Sequence, residues 1–197
     1  MVATIPAVSR AARGHRLVPT AFAHLVGSSM GGALIGSVLG LVGLPLALRL
    51  GEKRGPIIGI VALIFALSEF GVLKVPRPQR HKQVPAGWRA RFPPEIVAGL
   101  YGAILGTAVM TPIWFATLYV MLLWMLLSGS VLLSAMIGAT YGATRALPSI
   151  LTASFIDSPE QALRFGRALR RRIRYVTLST GIMLMGVGAI SLLVAAR

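Results

Sequence analysis

Several uninterrupted apolar stretches in this chain exceed the roughly 20 residues a helix needs to cross a ~30 Å hydrocarbon core. No other feature constrains the fold as much. A backbone without water around it must satisfy its own polar groups, and a helix does so within one segment. The expected class is all-α: a polytopic transmembrane helix bundle forming one integral membrane domain over residues 1–197. Composition agrees, since 55% of the residues are hydrophobic and 13% charged, about half the charged share of soluble domains.

Five spans follow from length and apolar continuity, at about Ala21–Leu48, Pro56–Leu73, Glu95–Leu127, Val131–Ile156 and Val176–Ala195. Arg10, Arg13 and Arg16 precede the first. It is longer than the apolar core of a signal peptide, so it reads as a retained span. The third is longer than one straight crossing needs, with Pro112 near its middle, and a second crossing there would make six.

The chain has twenty Lys/Arg against five Asp/Glu. With five spans, fifteen of the twenty basic residues fall on one side: in the N-terminal segment, in 74–94 and in 157–175. The positive-inside rule makes that side cytoplasmic, with the N-terminus on it, in a bacterial plasma membrane. Arg49, Lys53 and Arg54 at the first turn are the exception. Basic residues spaced between apolar spans fit topology and anionic lipid headgroups, not nucleic acid. The proline-rich 74–94 loop reads as extended basic chain on the membrane surface. In 157–175, Ser158, Pro159 and Gln161 form a helix-start signature. Ala162, Phe165, Leu169 and Ile173 then recur at helical spacing opposite Arg164, Arg167, Arg170, Arg171, Arg172 and Arg174. The expectation is a basic amphipathic helix on the inner leaflet that contacts lipid, or else an acidic partner.

Three features bear on function. Gly32, Gly36 and Gly40, Gly102 and Gly106, and Gly138 and Gly142 recur at four-residue spacing, which lets helix backbones approach closely, either for static packing or for sliding. Pro112 leaves the Ala108 carbonyl without its helical donor; Thr107 and Thr111 either re-satisfy the backbone or help present a broken helix to a solute. Glu69 and Arg145 lie within apolar spans, each roughly 20 Å from the outer end by helical rise. A charge there costs at least ~2.5 kcal/mol unless paired or hydrated. They read as a mutual pair or as a polar site for an ion or anionic solute. His24 reads as interfacial, and Met121 with Met125 as gap-filling rather than copper-binding. The chain has no cysteine, which excludes disulfide and thiolate-metal chemistry by its own residues. No hydrolase triad, phosphate loop, dinucleotide fingerprint or zinc motif is present, so neither a catalytic residue nor a cofactor or metal is expected.

The stretch RHKQVPAGWRARFPPEIVAGLYGAILGTAVMT from Arg80 to Thr111, with Gln83, Val84, Trp88, Tyr101, Gly102 and Gly106 as its marked positions, resembles poorly characterised bacterial membrane proteins grouped with the cytochrome c biogenesis protein CcdA and the DsbD/LysE-like families. The glycine-rich Gly27–Gly43 segment is also similar, and together they cover under half the chain. The resemblance implies a transporter-like helical fold. The family's redox cysteines have no counterpart here, so thiol redox activity is not carried over. Two functions are expected: a small permease-like protein moving a solute or ion past Glu69, Arg145, Thr107, Thr111 and Pro112, or a non-catalytic subunit or assembly factor of a membrane complex. Membrane-protein partners or self-association fit either.

Overall fold

A computed structural model of the chain describes residues 17–76, 91–108, 116–155 and 159–196. Among these every regular element is helical. In chain order they are α1 (Leu17–Leu50), a 3₁₀ turn (Gly51–Lys53), α2 (Arg54–Glu69), α3 (Pro94–Thr107), α4 (Thr117–Leu127), α5 (Val131–Phe155) and α6 (Pro159–Ala195). Among the described residues two stretches are long and apolar enough to cross a membrane by length and composition, Val18–Glu69 and Arg171–Ala195. By that criterion two spans stand where the sequence led us to expect five.

The third apolar stretch is where reading and structure differ most. It forms two helices, α3 and α4, of 14 and 11 residues. Pro94 opens α3 at a position where a missing N–H costs nothing, and Glu95 in the first turn complements the helix dipole. Ala108 ends it in the left-handed conformation, φ 58°, with its N–H donating to the Leu105 carbonyl at 3.2 Å. Glycine fits this position without a Cβ penalty. Ala108→Gly is accordingly expected to raise stability by about 1 kcal/mol, read as a higher thermal midpoint in detergent. The break thus lies ahead of Pro112. Thr111 and Pro112 fall outside the described residues.

The second difference concerns 157–175. The expected separate surface helix and the span after it run together as α6, one helix of 37 residues. Of the expected start signature, Pro159 opens α6, and Ser158 lies outside the described residues.

The chain divides into two compact units. The first comprises residues 1–35, 80–111 and 136–171, and so holds the first half of α1, α3, most of α5 and the start of α6. Its helices meet through glycine. A Cβ on Gly27 or Gly31 would strike the carbonyl of Gly99 or Ala103 on α3, and one on Gly32 would strike that of Gly138 on α5. The second unit comprises 36–79, 112–135 and 172–197. Its core is Ile58, Ala62, Ala66, Ala116, Val120, Leu127 and Leu184, with Phe65 stacked on Tyr119 at 5.6 Å between ring centroids. Gly59 and Gly188 face each other across α2 and α6. Gly36 and Gly40 lie against Ser134 of α5.

The α4–α5 turn is built from hydroxyls. Ser130 Oγ accepts the Leu133 N–H, and Ser134 Oγ donates to the Met125 carbonyl at 2.7 Å. Arg54 reaches the same turn, donating through Nη1 to the Ser128 carbonyl at 3.2 Å and through Nε to the Gly51 carbonyl at 2.7 Å. A cation at the C-terminal end of α4 opposes the negative end of its dipole. One of the three basic residues that broke the sequence charge pattern, Arg54, therefore has local structural partners. Large apolar side chains stay exposed along α1 (Val18, Phe22, Met30, Leu34, Leu41, Leu48) and α6 (Ile182, Met183, Ile190, Leu193, Val194).

Candidate functional site

In the first unit the polar interior converges on α1. Ser28 Oγ donates to the Gly142 carbonyl of α5 at 2.7 Å. Gly106 of α3 and Gly142 of α5 both present bare Cα atoms to the Ser28 carbonyl, where a Cβ would collide. One serine on α1 is thus gripped by two other helices. One turn earlier, His24 is 2% exposed and donates through Nδ1 to the Ala98 carbonyl at 3.1 Å. A carbonyl only accepts, so Nδ1 carries the proton in that contact. Gly102 lies against the His24 carbonyl, and the Tyr101 ring is 6.3 Å from the imidazole. His24 is buried among protein because Gly102 lets α3 approach this close.

Arg145, on α5 in the same unit, donates to the hydroxyl of Tyr141, one turn back, and its guanidinium carbon lies 5.6 Å from that ring's centroid. An arginine over an aromatic face keeps part of its charge solvation within the protein. Thr107 Oγ1 donates to the Ile104 carbonyl at 2.8 Å, one turn back on α3.

Glu69 belongs to the second unit. It closes α2, is 6% exposed, and accepts the Ala116 N–H at 2.6 Å. Ala116 is the residue before α4, so the carboxylate sits at the positive end of that helix. Gly181 of α6 packs against the Glu69 Cβ and the Phe70 ring. Glu69 and Arg145 belong to different units. Met125 is fully buried, and among the described residues no group of three His, Cys, Asp or Glu could hold a metal ion.

The Ser28 junction and the Glu69–Ala116 contact escaped the sequence reading. Ser28 did carry a signal: a small hydroxyl within a glycine-rich apolar run is a usual means of joining membrane helices. Ala116 carried none, because a backbone N–H looks alike at every residue.

No family model and no solved structure matches the chain. Curated relatives do. The chain is 32% identical over 183 residues to the methylamine utilization protein MauF of Methylorubrum extorquens, covering 92% of this chain and 62% of that one. It is also 32% identical over 182 residues to MauF of Paracoccus denitrificans, covering 90% and 64%, and 29% identical over 184 residues to MauF of Methylobacillus flagellatus, covering 90% and 62%. It is similar to MauF. The chain spans somewhat under two thirds of the length of these relatives.

This corrects the resemblance to CcdA and the DsbD/LysE-like families, and with it the transporter-like and cytochrome c biogenesis-like reading. The similarity to MauF runs through nine-tenths of the chain, whereas the earlier resemblance rested on less than half. Four-residue glycine spacing and a broken apolar helix were its carriers. Packing demands both in helical membrane proteins generally, so neither identifies a family.

Proposed function

We propose that the chain is a multi-pass protein of the bacterial plasma membrane that serves methylamine utilization as a non-catalytic accessory or assembly factor. The similarity to MauF over about nine-tenths of the chain carries this reading. The placement of the polar side chains supports it. Ser28, Thr107, Arg54 and Glu69 each bond backbone groups of the chain itself, as structural fasteners do. The apolar side chains exposed along α1 and α6 suit a lipid-facing surface, since patches of that extent are rare on soluble monomers.

The test is deletion of the gene in its host and growth with methylamine as the sole nitrogen source. Growth is expected to fail on methylamine, to continue on ammonium, and to return when the full chain is supplied. A deletion strain that grows normally on methylamine would rule the proposal out.

A further inference from the structure

The turn between α1 and α2 holds the cations that broke the sequence charge pattern. Arg49, Lys53 and Arg54 stand there with one acid, Glu52, so three positive charges against one negative leave the turn at +2. Arg54 is engaged by the Gly51 and Ser128 carbonyls. Arg49 and Lys53 are exposed, and among the described residues their side chains have neither a hydrogen bond nor an ion pair. Glu52 is exposed and equally unpaired, so it neutralises neither of them at contact distance. All four residues belong to the second unit.

The surroundings of these cations point to the counter-charge they take. Leu46, Leu48 and Leu50 precede the turn and Ile57, Ile58 and Ile60 follow it, so the polar chain is a short break between two apolar helices. Val42, Leu46 and Arg49 follow one another on α1 at steps of four and three residues, within about 60° of the helix circumference. Val42 and Leu46 are 66% and 43% exposed, and Leu48 near them is 75% exposed. One face of α1 therefore runs from exposed apolar side chains directly into an exposed guanidinium. A phospholipid has the same order, acyl chain and then phosphate, and cations at the end of an apolar helix sit at headgroup depth. Guanidinium and ammonium both hold phosphate oxygens by charge-assisted hydrogen bonds. A free phosphate would use the cations alone and leave the apolar face uncovered.

We infer that the α1–α2 turn binds an anionic phospholipid, with its phosphate at Arg49 and Lys53 and an acyl chain along Leu46 and Val42. The inference rests on the membrane placement in the reading above and adds a lipid of stated chemistry to it. In the test, phosphatidylglycerol or phosphatidylcholine is titrated onto the full chain in uncharged detergent, and bound lipid is counted by native mass spectrometry. Wild type is expected to bind phosphatidylglycerol the more tightly of the two. The R49Q/K53Q variant is expected to bind it about tenfold more weakly than wild type, and R49K/K53R to match wild type. R171Q/R172Q, which removes as much charge elsewhere, is expected to change little. Equal affinity of R49Q/K53Q and wild type overturns the inference, as does an equal loss in R171Q/R172Q. Matching affinities of wild type for the two lipids overturn it as well. So does binding of inorganic phosphate or acyl-free glycerophosphoglycerol as tightly as the lipid, because the apolar face then contributes nothing. Flotation of wild type with phosphatidylcholine vesicles reads the membrane placement by itself. Protein that floats without preferring phosphatidylglycerol ends this inference alone, whereas protein that does not float ends the membrane reading too.

Discussion

Replacing Gly106 with valine is expected to destabilise the protein by about 3 kcal/mol or more, seen as loss of the monodisperse peak after mild heating in detergent. The bare Cα of Gly106 lies against the Ser28 carbonyl and is 2.9 Å, in Cβ terms, from the Gly32 backbone nitrogen. Both are main-chain atoms of α1 and cannot swing aside as a side-chain end can. Relief requires α3 to move off α1, and that would also pull on the His24–Ala98 hydrogen bond one turn away. Gly142→Val should behave alike, since it meets the same carbonyl from α5 and would break the Ser28–Gly142 bond as well. Gly186→Ala is the control. It sits within α6 with nothing inside 4 Å of its added methyl, so the change should be neutral or stabilise by up to ~1 kcal/mol. If Gly106→Val and Gly186→Ala unfold at the same temperature, the α1–α3 contact is not the one described.

Glu69→Ala is expected to cost about 2–3 kcal/mol, because it strands the Ala116 N–H and removes a charged acceptor from the start of α4. The site is buried at 6% exposure, so water does not readily take over the bond. Glu69→Gln keeps an acceptor oxygen in place and should lose only about half as much. A solute-binding role for Glu69 makes the opposite ranking, with both variants stable and functionally impaired alike. Thermal unfolding of the two variants beside growth on methylamine separates these outcomes. Equal midpoints for wild type and Glu69→Ala would remove the fastening role.

The glycine spacings were legible because period-four smallness is a property of one helix. Their partners were not. Gly32 and Gly36 lie one turn apart on α1, yet Gly32 meets Gly138 and Gly36 meets Ser134, on successive turns of α5. The Ala62 and Ala66 pair at the centre of the second unit went unremarked, since alanine in an apolar run looks like filler until a neighbouring helix is set against it. The family resemblance failed for a related reason, because it was drawn from features that packing imposes on unrelated sequences.

What the sequence alone determined was the helical class, the apolar character and the basic segments around it. Hydropathy and charge are sums over neighbouring residues, and lipid solvation acts on those sums directly. Tertiary structure decided where the third apolar stretch breaks, that Glu69 serves the N–H of Ala116 just ahead of α4, that His24 is buried, and that the arginine segment continues into α6. Each depends on which backbone groups remain unpaired after the local helices form and on which neighbour stands close enough to pair them. That distance between helices is written in no single segment of the chain.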